Sequence, residues 1–280
     1  RFARIYPLYA VILMGTVAFA ALQAATGRDT GGYPWAELPL HMAMMQNWGL
    51  TERLAWNHPA WSISAEFAAY LLFPALVLWT PIAQMRRANL LAAMIVLIAI
   101  LVAWMRHDGQ VSLGADIAGN GLMRCLTEFG CGALLCAFWL RGPDCDMRSL
   151  LLSLGGVLLF WGLWARESGY EIWAFPAGAA CLILTLAHAS GLRHNPLHWR
   201  PLVYLGEISY ATYLAHFMAW IGFKLLFVDH AGNVAPLLVA TFLASLLIAS
   251  MLLHHGVEKP GRQWLSRPLP FRGRAAAGMR

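Results

Sequence analysis

Charge is what this sequence has least of. Asp, Glu, Lys and Arg make up 12% of its 280 residues, about half the usual share in a soluble domain, while 59% are hydrophobic. With a mean hydropathy of +0.57, that balance excludes an ordinary water-soluble globule and points to an integral membrane protein. Acidic residues are scarcer than basic ones, and the net charge is +6. The basic excess lies at the ends and in short loops, as orientation-setting residues do, so no nucleic-acid partner is expected. Cysteine is also thin: five residues with no C-x-x-C pair and no metal-ligand spacing, so neither a disulfide framework nor a metal site is expected. An internal repeat is missing too, and the two halves carry no matching broken segments, which speaks against the architecture of a secondary transporter. The chain opens Arg1-Phe2-Ala3-Arg4, without Met and without a signal peptide, and reads as if it starts in mid-protein.

What the sequence has in quantity is long apolar runs. Because about 20 helical residues cross the hydrocarbon, eight spans are expected, over roughly 5–24, 60–80, 89–105, 117–140, 149–165, 172–190, 203–228 and 235–255. The predicted fold is therefore all-α, a polytopic membrane helical bundle. The long loop 25–58 is polar and aromatic, with Tyr33, Trp35, Trp48 and Trp56; its portion 38–46 could form a short interfacial or re-entrant helix. Those aromatics suit either sugar stacking or the interfacial belt. Arg1, Arg4, Arg86, Arg87, Arg141, Arg148, Arg193, Arg200 and the basic tail fall on one side; Arg28, Arg53, Arg106 and Arg166 fall on the other. The richer side is expected to be cytoplasmic, with both ends there. Residues 1–258 read as one membrane domain and 259–280 as a basic, disordered or membrane-apposed cytoplasmic tail.

Polar residues inside spans need a reason, because a carboxylate near mid-membrane costs roughly 2.5–3.5 kcal/mol on insertion scales. Glu66 is the first, in Trp61-Ser62-Ile63-Ser64-Ala65-Glu66-Phe67. On a helix, Ser62, Glu66 and Tyr70 would form one polar stripe, and Glu66 is a catalytic candidate, with pairing to a basic residue as the alternative. Arg124 and Glu128, four apart, could pair with each other or serve the chemistry; Gly130, Gly132 and Ala133 suggest close helix contact nearby. His216 shares a face with Ser209 and Tyr213 and could act as a base or as a packed hydrogen-bond partner. Arg1 and Arg4, one turn apart, offer a fork for phosphate oxygens or simply anchor the helix end. His41 and His58 fall on the outer side, His254 and His255 read as interface markers, and His194 and His198 as solvated loop residues.

Four stretches occur in order: Arg1-Phe2-Ala3-Arg4-Ile5-Tyr6-Pro7-Leu8-Tyr9, Trp61 to Phe67, Leu205 to His216, and Val257-Glu258-Lys259-Pro260-Gly261-Arg262. Together they resemble the acyltransferase-3 family of polytopic membrane acyltransferases, which often O-acetylate bacterial envelope polysaccharides. The resemblance implies about ten spans in an intact domain and transfer from a cytoplasmic donor, acetyl-CoA or another acyl-CoA, to an outward-facing glycan or lipid-linked saccharide. It places Arg1 and Arg4 on the donor side and Glu66 in the functional core, in the inner membrane. Family members carry an essential His in a first span, and two spans precede the arginine pair. Neither span is in this sequence, so the expectation is an N-terminally truncated domain with little activity alone. A serine acyl-enzyme at Ser62 or Ser64 stays open, as do two other functional classes: a small-molecule exporter and a structural partner in an envelope complex.

Overall fold

The structure, a computed structural model, describes residues 1–142, 147–190, 195–227 and 234–267. Those residues are helical in every regular element. The long helices are α1 (Phe2–Ala25), α3 (Ala60–Trp79), α4 (Arg87–His107), α5 (Ile117–Leu140), α6 (Met147–Arg166), α7 (Glu171–Ala189), α8 (Arg200–Phe227) and α9 (Pro236–Leu253). Each predicted span is one of these, with no end displaced by more than three residues. Seven are long and apolar enough to cross a membrane. The remaining one, α8, has the length, about 42 Å for its 28 residues, but Glu207, His216 and Lys224 dilute its apolar character.

Two shorter helices complete the chain. The predicted segment 38–46 contains only α2 (Leu38–Met42), five residues after a single turn at Trp35–Glu37. The expected tail is not a tail at its start. After α9 the chain makes a π-helical turn over His254–Glu258 and continues as α10 (Lys259–Leu265). Pro260 follows this turn directly, and the wider π-helical register, in which the Lys259 N–H reaches back to the His254 carbonyl, is where the ladder absorbs a residue without an N–H. The remainder of the expected tail, 268–280, lies outside the described residues, as do Cys145, Arg193, His194 and most of the 229–234 loop.

The chain divides into two compact units. One comprises residues 1–35, 55–59 and 203 onward; the other comprises 36–54 and 60–202. In the first, the Tyr210 hydroxyl donates to the Ile5 carbonyl (2.8 Å) and ties α8 to α1. The Thr212 hydroxyl donates to Ser250 Oγ (2.9 Å), joining α8 to α9. In the second, α6 and α7 form a hairpin in which the Trp161 ring lies where any side chain on Gly178 would go. A core of Leu90, Met94, Leu134 and Leu135, with Ala180 and Leu184 packed on it, holds α4, α5 and α7 together. Gly130 lets α5 approach Leu97 of α4, as its small size suggested; Gly132 instead faces open space.

Candidate active site

In the second unit the Trp61–Glu66 stretch forms the first two turns of α3 and is braced by the preceding loop. Ser64 is fully buried. Its Oγ accepts the Asn47 backbone N–H (3.1 Å), and its carbonyl accepts the Trp48 indole N–H (3.0 Å). The Gln46 amide donates to the Ala60 carbonyl (3.1 Å). Ser64 is therefore a clamp for the loop, its buried Oγ accepting a backbone N–H. Two turns in, the Tyr70 hydroxyl donates to Glu66 Oε1, which bears out two members of the predicted stripe. The half-buried carboxylate is thus held by its own helix, and among the described residues no basic side chain forms an ion pair with it.

Helix α5 supplies the neighbouring polar face. Arg124 Nε donates to Glu128 Oε1 (3.1 Å), Nη1 donates to the Leu113 carbonyl (3.0 Å), and the guanidinium lies 5.9 Å from the Trp61 ring centre. The structural ion pair is real, and it reaches the Trp61 motif as well. Arg124 snorkels back toward the start of its helix, which keeps its charge near the polar end. Gly121 makes room for this packing: a Cβ there would come within 2.7 Å of the Asn47 amide nitrogen and 3.0 Å of the Trp61 ring. Cys125 lies within electrostatic range of Glu66, Glu128 and Arg124.

The aromatic loop spends two of its tryptophans on its own packing. Trp56 is 1% exposed and packs edge-on against Tyr33 and Trp35, its indole donating to the Pro34 carbonyl (3.2 Å). Trp48 stacks on Phe67. Both tryptophans hold the loop together, while Trp35 is 48% exposed. His41 is buried in α2, and burial pushes its imidazole down to about 4, so it stays neutral through the physiological range.

In the first unit Arg4, Glu207, His254, Glu258, Lys259 and Arg262 line a polar cleft of about 240 Å³. Three elements build it. Arg4 and Pro7 share a face of α1, and Gly261 allows α10 to press on Pro7, where a Cβ would come within 2.5 Å. Glu207 stands one turn before Tyr210, whose bond to Ile5 sets its position. His254 Nδ1 and Glu258 Oε2 are 2.9 Å apart, and Glu258 is 4% exposed. The sequence reading gave Arg4 to the donor side, took His254 as an interface marker, and took Lys259 and Arg262 both as the closing motif of the resemblance and as the start of a basic tail. Arg1, the other half of the predicted fork, lies exposed at the preceding turn, and its carbonyl accepts the Arg4 N–H (2.9 Å). Three cations face two carboxylates in this cleft, one of them engaged by a histidine.

His216 also belongs to this unit. Its Nδ1 is 2.6 Å from the Tyr213 carbonyl, which can only accept, so Nδ1 carries the proton and Nε2 is the acceptor in the neutral ring. Around it the segment 57–59 docks on α8: the Asn57 amide donates to the Leu214 carbonyl (3.0 Å), the Tyr213 hydroxyl donates to the Pro59 carbonyl (2.9 Å), and His58 stacks on Phe217. Burial lowers the His58 pKa. Ser209, predicted on the same face, turns back to the Gly206 carbonyl (2.7 Å). Glu66 and His216 fall in different units, so each is placed within its own.

The sequence that builds these sites matches a known family. The profile described as an "Acyltransferase domain" covers residues 1–255. The chain belongs to the acyltransferase-3 family. It is similar to the acyltransferase MdmB of Streptomyces mycarofaciens, 30% identical in an alignment of 303 positions that covers 96% of this chain and 75% of that protein. It is also similar to "Putative membrane-bound transacylase BcsY" of Komagataeibacter xylinus, 27% identical over 229 positions, 78% of this chain and 54% of that one. No solved structure matches significantly. This acyltransferase-3 chain is a multi-pass membrane acyltransferase, as its helices and its family together require.

Proposed function

We propose that this acyltransferase takes an acyl group, acetyl in the simplest case, from cytoplasmic acyl-CoA and passes it to a hydroxyl of an envelope polysaccharide or other glycan. The orientation expected from the loop arginines, with both ends at the cytoplasmic face of the inner membrane, belongs to the same reading. The observation that carries it is the Arg4–Lys259–Arg262 cleft. Guanidinium and ammonium groups converging on one small cleft suit the phosphates of a CoA donor.

The chemistry asks little else of the protein. The acceptor oxygen attacks the thioester carbonyl, a C–O bond forms, the C–S bond breaks, and the hydroxyl proton leaves with the thiol. A base for that proton and donors for the oxyanion lower the barrier. Glu66, oriented by Tyr70, is suited to orienting the acceptor hydroxyl or taking its proton. His216, with Nε2 as acceptor, offers a second place for a proton.

The test expresses the full-length parent in a host deleted for its own envelope acyltransferases. Labelled acetyl from acetyl-CoA is followed into the glycan fraction. Glu66→Gln is expected to cut incorporation by about a hundredfold or more. Arg4→Ala is expected to raise the donor KM, and Arg1→Ala to do so less, since Arg1 stands outside the cleft wall. Unlabelled glycan with normal membrane insertion would overturn the reading.

A further inference from the structure

Between α5 and α7 runs a cavity of about 240 Å³ that no step above uses. Arg124 and Glu128 stand at one end; Gly132 and Leu135 of α5 and Phe175 and Ile183 of α7 line the remainder. The Arg124 guanidinium reaches back to the Leu113 carbonyl, ahead of the first residue of α5. Leu135 lies 18 residues into the helix, about 27 Å further along. The cavity thus runs from a charged mouth at the start of α5 and α7 to an apolar floor deep in the span. Its flank is open as well. Ile183 is 55% exposed, and a side chain on Gly132 would meet nothing within 4 Å. At that depth the surroundings are lipid, not water.

The charged mouth is the unusual part. Arg124 and Glu128 keep 22% and 35% of their side-chain surface exposed, within a segment that crosses hydrocarbon. Arg124 carries its charge back toward the polar end. Glu128 stands a turn deeper, about 16 Å into the helix, where exposed ionic surface is costly unless something polar covers it. The pair is balanced, so it offers a neutral hydroxyl both a donor and an acceptor, whereas a bare phosphate would meet the carboxylate. At about 240 Å³ the cavity is smaller than the ~300–1,000 Å³ that encloses a whole drug-sized ligand, and it suits one apolar arm of a larger molecule.

We infer that this cavity seats the apolar part of the acyl acceptor, an amphiphile with neutral hydroxyls that reaches the enzyme from within the bilayer and sets its head against Arg124 and Glu128. The inference rests on the acyl-transfer reading for the word acceptor, and it narrows the substrate class from any glycan to a glycosylated, membrane-partitioned molecule. On the proposed orientation the charged mouth faces outward, as the head of an outer-leaflet amphiphile does. A soluble polysaccharide would have no use for the apolar floor.

The test uses the full-length protein in phosphatidylcholine vesicles and a decyl β-glucoside carrying a diazirine in mid-chain. After photolysis, saturable adducts are expected on peptides covering 128–135 and 175–183. Methyl β-glucoside should not compete for them. Gly132→Phe, whose ring would fill the cleft, should cut these adducts at least about fivefold, while Gly132→Ala leaves them unchanged. If Gly132→Phe fails to insert, Ile183→Trp on the opposite wall makes the same test. Labelling that never saturates, or that spreads over all lipid-facing helices and is indifferent to Gly132→Phe, would mean ordinary boundary phospholipid and overturn the inference. Competition by a long-chain acyl-CoA alone would give the cavity to the donor chain and overturn it too. Acetyl transfer is scored separately in the same vesicles. Saturable adducts without transfer would support the cavity and sink the acyl-transfer reading; transfer without them would do the reverse.

Discussion

Two glycines on one helix make opposite predictions, and single atoms decide which is which. Gly121 is occupied by its neighbours: a methyl group there meets the Asn47 amide at 2.7 Å and the Trp61 ring at 3.0 Å. Gly121→Ala should therefore destabilise by about 1–3 kcal/mol, as overpacked cores do, despite the better helix propensity of Ala. Gly132 has no such neighbour. Gly132→Ala should stabilise by about 0.4–1 kcal/mol through the entropy of the unfolded chain. Thermal unfolding in detergent, followed by tryptophan fluorescence, reads both signs; equal signs would contradict the packing described. Ser64 supplies a sharper case. As a clamp, its loss leaves the Asn47 N–H buried without a partner, for about 1–3 kcal/mol. Turnover of Ser64→Ala should then survive below its lowered melting point, whereas loss of a covalent nucleophile costs on the order of a millionfold. Much of the residue scale was legible in the sequence. The spacing of Glu66 and Tyr70, and of Arg124 and Glu128, fixes who can touch whom on a helix. The partners of Ser64 were not legible, because they come from a loop whose path depends on positive-φ turns at Met44 and Trp56, residue types that give no warning of one.

At the scale of elements, the apolar runs located every long helix, since length and hydropathy are local properties. What they could not show is continuation through a polar stretch. The π-helical turn at His254–Glu258 carries α9 into α10, and a run of His, Glu and Lys reads as an end when only hydropathy is followed. That continuation creates the Arg4–Lys259–Arg262 cleft, proposed above as the donor site, and hangs it on Gly261. Gly261→Val should push α10 from Pro7 and raise the donor KM, leaving the acceptor KM as it was; steady-state kinetics with both substrates varied would show the split. The small helix α2 carries a pH dependence. The His41 pKa lies at about 4 in the folded protein against the ordinary 6.5, so the unfolded segment binds a proton that the folded one refuses. Its contribution is complete above pH 6.5 and is lost as the pH falls toward 4, on the order of 3 kcal/mol across that window. Hydrogen exchange around residues 38–48, corrected for intrinsic rates, should speed up between pH 6.5 and 4.5. His41→Leu should flatten that response; an unchanged profile would remove His41 from it.

For the molecule as a whole, the proposed reading of eight spans places both ends on the cytoplasmic face of the membrane. A cysteine replacing Arg28 should react with a membrane-impermeant maleimide from outside the cell, and one replacing Arg86 should not; the reverse pattern would invert the topology. The family was legible because its motifs are short and local. The division into two units was not, since residues 55–59 leave their sequence neighbours and join α8 through Asn57, Pro59 and His58. The length of the last helix has a further consequence. From Pro236 to Leu265 it runs 30 residues, about 45 Å, against a hydrocarbon slab of about 30 Å. On the proposed reading the surplus of some 15 Å reaches past the hydrocarbon and sets Lys259 and Arg262 among lipid headgroups and counter-ions, where a Debye length of about 8 Å at physiological ionic strength governs attraction. Donor capture there would be a problem in colloid chemistry as much as in recognition. The donor would compete with acidic lipids for Arg4, Lys259 and Arg262, and its apparent affinity should weaken as either salt or the acidic-lipid fraction rises.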